Sequence, residues 1–554
     1  MTSSAAASKS LDLTERRLRD RRAAERLTRI AAIDIGSNSI RQIVADVTHA
    51  GGIQVVDEMK AAPRLGAGLG STGTLTTESM DRAVEALQRM ATLARQLGAV
   101  RIEAVATSAV RDAANATDFL ERVRRDTGLK IRVLDGEEEA RLSYRSAIAH
   151  FDLGVGRSVV MDIGGGSLEL ALSAEGIIER LRSLPLGALR LSERFLSDGR
   201  GGKRLKKLRK FVREEIRVSI PVRDWRGAQL IGSGGTFTNL AGMYLARQGI
   251  FTARNVHAAQ IPRSEVEHIL DVLDAMTPDE RRAVPGLNPE RADIIVAGLA
   301  VAAEVMARIE ARELTVSRYG IREGLLLEAA RVAPVVADPG NARERSVLEF
   351  AQRCHYEPLH AKQVQRLALR LFDALGARLD LTAEDRQVLA DAALLHDVGY
   401  HISYERHHKH AYHLIVHAEL LGVPPTEQVL VANVARYHRG TPPKKRHRNY
   451  GALDRPLRQR IKRLAAILRV ADGFDRGHVG GVEDLKVRWT QRAIRITATS
   501  AHPGHHVRLE AWGAHRKSAL LAQVAGVPVE IIGPDGMVHS SLTLVEEGSR
   551  AEGE

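Results

Sequence analysis

Two stretches decide the fold: Ile30-Ala31-Ala32-Ile33-Asp34-Ile35-Gly36-Ser37-Asn38-Ser39 and Ser158-Val159-Val160-Met161-Asp162-Ile163-Gly164-Gly165-Gly166-Ser167. In each, an apolar run ends in Asp, a Gly/Ser turn follows, and a second apolar run resumes, Ile40 to Val47 and Leu168 to Leu172. An Asp at the end of a buried strand offers hard oxygen to a Mg²⁺ that keeps its waters. The turn behind it exposes backbone N–H groups that cradle phosphate oxygens. One such turn is a weak signal, because ordinary hairpins carry it too. Its return 128 residues later, Asp34 to Asp162, marks an internal repeat. Two such turns facing each other would hold a polyanion between two similar half-domains.

The chain around these motifs has 554 residues, room for roughly three or four domains. It is 44% hydrophobic, enough for large cores. A net charge of +13, from 81 Lys and Arg against 68 Asp and Glu, calls for an anionic partner. Aromatics at 4% argue against base-stacking platforms for single-stranded nucleic acid. The lone cysteine, Cys354, excludes an internal disulfide framework and reads as a small buried hydrophobe in a reducing compartment. The longest apolar run, Ile294 to Ala303, lies between Asp293 and Glu304 and predicts a buried helix, not a membrane span. The N-terminus lacks a secretory apolar region. A cytoplasmic protein is expected, with residues 1–30 a basic, solvated extension.

From residue 31 to 150 the pattern predicts strand, turn and strand, then alternating helices and strands. Glu78 to Leu97 has helical spacing, Arg101 to Ala106 reads as a strand, and Ala116 to Arg125 as a helix capped by Asn115. Ile131 to Leu134 reads as a strand and Glu137 to Ile148 as a helix. The pattern restarts over residues 151–330, with turns Gly232-Ser233-Gly234-Gly235-Thr236 and Ser317-Arg318-Tyr319-Gly320 after further strands. Strands alternating with helices, with Gly/Ser turns at the strand ends, indicate an α/β fold whose ligand sits at those ends. Residues 332–341 read as a linker. Residues 340–482 turn helical and His-rich, seven of the 21 His falling within 396–417. Residues 483–554 read as a small C-terminal α/β domain.

Six segments resemble the Ppx/GppA family of exopolyphosphatases and guanosine pentaphosphate phosphohydrolases: AIDIGSNSIRQIVADV (32–47), AVATSAVRDAANATDFL (104–120), VLDGEEEARLSY (133–144), VVMDIGGGSLEL (159–170), IGSGGTFTNLAGM (231–243) and VSRYGIREGLL (316–326). They stand in the family's order over residues 31–330. The resemblance implies a duplicated actin-like (ribonuclease H-like) ATPase fold, subdomain I over 31–150 and subdomain II over 151–330. The helical half is similar to the family's longer members, which append an all-α HD-type domain, here followed by the small α/β cap.

On that resemblance Glu139 is the carboxylate that activates the attacking water, since it precedes Ala140 as the family's does. Glu137 and Glu138 read as acids favouring a helix N-terminus. Asp34 and Asp162 are the Mg²⁺ candidates, and Ser37, Asn38, Gly164, Gly165, Gly166 and Ser167 would bind phosphate oxygens. Arg111, after the turn Thr107-Ser108, is placed to fork onto a phosphate, with a surface pair to Asp112 as its alternative. The turn at 232–236 stands where actin-like kinases bind adenosine, and equally fits tight strand–helix packing. Arg322 and Glu323 are expected to pair locally.

His360, His396-Asp397 and Asp472 fall in the order H…HD…D, and two imidazoles with two carboxylates suit a divalent transition metal. A metal-free helical domain is the alternative, and His407, His408, His410 and His438 are further ligand candidates. Lys444, Lys445, Arg446 and Arg448 lie in a run, 436–463, with eleven Lys/Arg and one acid, Asp454, and would guide a long polyanion. A second basic cluster, Lys203 to Arg213, reads as a solvated helical face.

The expected function is an exopolyphosphatase that releases terminal orthophosphate from inorganic polyphosphate with Mg²⁺. Hydrolysis of guanosine pentaphosphate at the same site, and a non-catalytic polyphosphate- or phosphate-sensing protein, are the other readings. The resemblance implies a homodimer.

Overall fold

The structure, a computed structural model, describes residues 27–48, 52–196, 202–220, 225–250, 256–332, 339–418, 420, 422–500, 507–533, 536 and 538–540. The chain divides into two compact units, Met1–Tyr244 with Val256–Pro339, and Leu245–Asn255 with Gly340–Glu554.

The first unit is built on two sheets. Strands β1 (Thr28–Ile35), β2 (Ile40–Val47), β3 (Ile53–Ala61), β4 (Arg101–Ala106) and β5 (Ile131–Val133) form one, in the order β3-β2-β1-β4-β5. Strands β6 (Arg157–Ile163), β7 (Leu168–Ala174), β8 (Ile177–Leu184), β9 (Gln229–Ser233), β10 (Gln260–Pro262) and β11 (Glu313–Val316) form the other, in the order β10-β11-β9-β6-β7-β8. The repeat is visible in this order: β6, β7, β8, β9 and β11 stand where β1, β2, β3, β4 and β5 stand in the first sheet, and β10 is added at the edge. This is the duplicated α/β fold expected from the sequence.

Each repeat centres on a strand covered on both faces. Ile30 to Ile33 are buried in β1, and Ser158 to Ile163 in β6, which is why these runs read as continuous apolar sequence. The helix Thr77–Gln96 turns Ala83, Val84, Leu87, Met90, Ala91 and Ala94 inward at helical spacing. Thr76 caps it by accepting from the Ser79 N–H at 3.2 Å. The apolar run near 294 forms the helix Ile295–Arg308, buried from Ile295 through Met306.

Several expectations shift. β1 begins at Thr28, inside the stretch read as an N-terminal extension; the rest of that extension, 1–26, lies outside the described residues. Asn115 stands at the start of the helix Ala116–Thr127 without capping it. Its amide instead bonds both backbone groups of Leu75, at 2.8 and 2.9 Å. Helix Pro339–Arg353 begins within the stretch read as a linker, of which 333–338 lie outside the described residues. The basic cluster from Lys203 is not wholly a solvated face. Arg209 and Arg213, on helix Lys203–Ser219, hold the buried Glu304 at 2.6 and 2.9 Å.

The second unit is helical around Pro358–Leu375, Ala383–Leu395, His407–His417, Pro425–Arg436 and Arg455–Gly473. A four-stranded sheet, β12 (Val482–Trp489), β13 (Ile494–Ser500), β14 (Val529–Ile532) and β15 (Val538–Ser540), belongs to the same unit. It is tied to the first of these helices by Gln363, which donates to the Val482 carbonyl at 2.6 Å. Cys354 is free and buried. Among the described residues no helix is long and apolar enough to cross a membrane.

Candidate active site

Asp34 and Asp162 end the central strands of the two repeats and line one cavity of about 110 Å³ in the first unit. The turns behind them close alike: Gly36 N–H donates to Ser39 at 3.1 Å, and Gly164 N–H to Ser167 at 3.0 Å. The turns also touch each other. A side chain at Gly166 would meet the Ser108 hydroxyl at 2.2 Å, and the hydroxyls of Ser37 and Ser108 bond at 2.9 Å. Glycine at 166 is therefore required by close approach. Ser37, Asn38, Gly164, Gly165 and Ser167 all line the cavity; Gly166 lines a smaller recess beside it.

Glu139 reaches the same cavity from helix Gly136–Ile148. Three acids open this helix, and the period of 3.6 separates their roles. Glu138 closes a capping box with Asp135, at 2.8 and 2.9 Å. Glu139 turns inward and is 3% exposed. One turn on, Ser143 donates to Asp162 Oδ2 at 3.1 Å, joined by Ser233 at 3.2 Å. Gly234, at a φ of 93°, lets the next turn pass so close that a Cβ there would stand 2.6 Å from Asp162 Oδ1.

Arg111 does not line the cavity. Its guanidinium bonds the Glu139 carboxylate and the Leu134 carbonyl, the latter at 2.8 Å, while Asp112 is 3.7 Å away. In this structure it positions Glu139. Arg322 and Glu323 pair at 3.5 Å as expected, and both face the cavity.

Residues the sequence reading passed over complete the site. Arg41 and Glu169, opposite Asp34 and Asp162 in their hairpins, both line the cavity, as do Arg291 and Arg318. Five carboxylates, Asp34, Glu139, Asp162, Glu169 and Glu323, thus share a confined space. Burial, then the facing Glu169, pushes Glu139 up to about 9, against the pull of Arg111. Burial pushes Glu169 to about 8, although Ser167 and Ser183 donate to it. Asp34 keeps some surface open to the cavity, yet burial raises it to about 6 against Arg322 and Arg41. Asp162 is raised by burial as well. Asp34 Oδ1 is buried and accepts no hydrogen bond. An all-oxygen set of this kind, with one orphaned carboxylate oxygen, fits a hard divalent cation. The arginines opposite are strained the other way: burial, then Arg41, lowers Arg291 to about 10, and burial, then Arg322, lowers Arg41.

A sequence profile of the Ppx/GppA phosphatase family matches residues 43–332. The chain belongs to the Ppx/GppA phosphatase family. The profile of that family's domain III matches residues 342–503, so the helical unit is part of the same family architecture. Among solved structures, the chain is similar to an exopolyphosphatase from Cytophaga hutchinsonii, with 28% identity over 55% of this chain and 99% of the other, at a TM-score of 0.52. It is also similar to the Aquifex aeolicus member of the Ppx/GppA family, with 29% identity over 55% of this chain and 98% of that one, at a TM-score of 0.48. Family membership makes the chain a phosphatase, of the class that hydrolyses phosphoanhydrides.

In this Ppx/GppA phosphatase the second unit gathers the other residues singled out in the sequence. His360, His396, Asp397 and Asp472 converge, and His407 and His438 join them. His408 stays outside, its ring 6.4 Å from that of His438, and His410 is half-exposed. Lys444, Lys445, Arg446 and Arg448 are exposed, and among the described residues none is paired with an acid.

Proposed function

We propose that the protein is an exopolyphosphatase that splits the terminal phosphoanhydride of inorganic polyphosphate. Water attacks the terminal phosphorus, the bridging P–O bond breaks, and orthophosphate and a chain shorter by one phosphate leave. Glu139 orients the water and takes its proton, held in place by Arg111. Asp34 and Asp162, with Glu169 beside them, would hold Mg²⁺, which when bound supplies charge neutralisation for the phosphoryl oxygens. The turn residues Ser37, Asn38, Gly164, Gly165, Gly166 and Ser167 receive phosphate oxygens on backbone N–H and hydroxyl groups. Arg41, Arg291, Arg318 and Arg322 receive the phosphates that follow.

One observation carries the choice of a phosphate chain. A Cβ at Gly235 would stand 2.1 Å from the Arg291 guanidinium carbon, so a cation lies directly on the turn where actin-like kinases hold adenosine. A guanidinium there favours further phosphate over a nucleoside. The exposed cations Lys444, Lys445, Arg446 and Arg448 supply long-range attraction for long chains, which weakens with salt.

The test is phosphate release from long polyphosphate and from guanosine pentaphosphate, side by side, with and without Mg²⁺. Polyphosphate should be the faster substrate and neither should turn over without the metal. Turnover of guanosine pentaphosphate alone, or binding of polyphosphate with no release at any Mg²⁺ level, would overturn the proposal. Charge reversal at Lys444, Lys445, Arg446 and Arg448 should slow long chains far more than short ones.

A further inference from the structure

Each repeat carries the tripeptide Leu-Gly-Ala at the exit of its third strand. Leu65-Gly66-Ala67 follows β3, and Leu186-Gly187-Ala188 follows β8. Both leucines are fully buried, each in the core of its own repeat, and so anchor what comes next. Both segments then bond the Gly/Ser turn of their repeat. Gly66 N–H donates to the Ser37 carbonyl at 2.8 Å, and Arg64 N–H to the Asn38 carbonyl at 3.3 Å. In the second repeat Ala188 N–H donates to the Gly164 carbonyl at 2.9 Å, and the N–H groups of Leu189 and Arg190 to the Gly165 carbonyl at 2.9 and 3.1 Å. Ser37 and Gly165 are equivalent positions, each third after its Asp.

Space, not angle, requires both glycines. Gly187 has φ −72° and ψ 150°, which any residue adopts, and Gly66 is not left-handed either. A Cβ at Gly187 would overlap the backbone carbons of Gly165 and Gly166. A Cβ at Gly66 would stand 2.8 Å from the Ser37 Cβ. What these contacts do follows from the planar trans peptide, whose C=O and N–H point opposite ways. Tying the Ser37 carbonyl to Gly66 directs the Asn38 N–H away from Gly66. Tying the Gly164 and Gly165 carbonyls to the segment after Gly187 directs the N–H groups of Gly165 and Gly166 away from it. Among the described residues none of these three N–H groups donates to a protein acceptor. Asn38 and Gly165 line the cavity, and Gly166 the recess beside it.

We propose that Gly66 and Gly187 are positioning residues, a matched pair that props the two phosphate turns and sets the direction in which their N–H groups donate. The inference rests on the reading of these turns as phosphate-binding, and not on which phosphoanhydride is cleaved. The two props are unequal. At Gly187 the obstacle is the backbone of two residues, which cannot rotate aside; at Gly66 it is one side-chain carbon. The second turn therefore tolerates less change than the first.

The test is calorimetric titration of the full chain with orthophosphate and Mg²⁺, at a salt concentration that screens the surface cations. Gly187→Ala should weaken orthophosphate binding by about tenfold or more, the size of a lost hydrogen bond to a charged group. Gly66→Ala should weaken it less. A double-mutant cycle gives the sharper comparison. Ser37→Gly removes the carbon that Gly66→Ala strikes and leaves the next atom, the Cα of residue 37, at 3.3 Å, so Gly66→Ala should cost little in that background. Gly242→Ala is the control: a Cβ there would stand 2.5 Å from the Gly286 carbonyl oxygen, so it should lower Tm and leave phosphate affinity unchanged. A folded Gly187→Ala chain with wild-type affinity overturns the proposal. So does a Gly66→Ala loss of the same size with and without Ser37→Gly, which decides the matter even if Gly187→Ala does not fold. A loss from Gly242→Ala equal to the others would reduce both glycines to packing residues and overturn it too. A wild-type chain that binds no orthophosphate overturns the reading of the turns and this inference with it. Phosphate release from guanosine pentaphosphate alone overturns only the choice of polyphosphate.

Discussion

The first Asp-turn hairpin and the second share their strand pairing, their turn hydrogen bond and a parallel neighbour, and they diverge at what surrounds the aspartate. Opposite Asp34 the partner strand places Arg41; opposite Asp162, at the same register, it places Glu169. The parallel neighbour differs too. β4 offers Val105 beside Asp34, which cannot bond it, whereas β9 offers Ser233 beside Asp162, which does. One repeat therefore supplies a cation and an unsatisfied carboxylate oxygen, and the other a satisfied carboxylate with a second acid. In a duplicated scaffold, one strand-end carboxylate has thus been paired with a cation and the other with a second acid.

The largest effect should come from Glu139→Gln, which removes the base with little change in volume. A loss of about 10²–10⁴-fold in kcat is expected, with polyphosphate affinity kept. A near-normal rate would move the base to Glu169 and place the chemistry wholly within the second repeat. Next, Arg41→Gln should raise KM by about tenfold to a hundredfold, since a hydrogen bond to a charged partner contributes roughly 1.5–3 kcal/mol. Glu169→Gln should instead leave KM at saturating Mg²⁺ nearly unchanged and raise the Mg²⁺ requirement. Matching phenotypes for the two would erase the distinction between the repeats. Asp162→Asn should raise the Mg²⁺ concentration for half-maximal activity by about tenfold or more, because even outer-shell changes cost roughly that much. A Mg²⁺ titration shifted by Asp34→Asn but not by Asp162→Asn would assign the metal to the first repeat alone.

The smallest effect is on stability. Burial pushes Glu139 up to about 9 and Glu169 up to about 8 in the fold, against 4.5 for a free glutamate. Between those values the folded chain holds more protons than the unfolded one, so stability must fall as pH rises. Without Mg²⁺, Tm should decline from pH 5 to 9 by calorimetry, and Glu169→Gln should flatten the decline. A Tm that rises with pH over this window would show that the two acids are already ionised in the folded state.

Much of this site was legible in the sequence because its parts are contiguous. Asp34, Asp162 and the Gly/Ser turns lie in two short runs, and Glu139 was separated from its neighbours by the family match before helix geometry explained why. Arg41 and Glu169 carry a readable signal in their spacing: each stands seven residues after its Asp, in IGSNSIR and IGGGSLE. Hairpin register turns that shared spacing into a shared position. Arg291 had no such signal, since it ends the short 3₁₀ turn Pro289–Arg291 and reaches Gly235 only through the tertiary fold. The pairing of Arg111 with Glu139 is invisible in the sequence, because the two are 28 residues apart and meet only once the helix is docked. In the second unit the order H…HD…D was visible, but His407 and His438 could be told from His408 and His410 only by which rings face inward.

The opposition of Arg41 and Glu169 also bears on direction. A cleft closed by two identical turns would have a twofold axis, and a linear substrate could enter it equally well from either side. In-line displacement needs two unlike ends, one where the water waits and one where the chain departs. A single exchange of charge at one register position breaks the axis and gives the cleft an entrance and an exit.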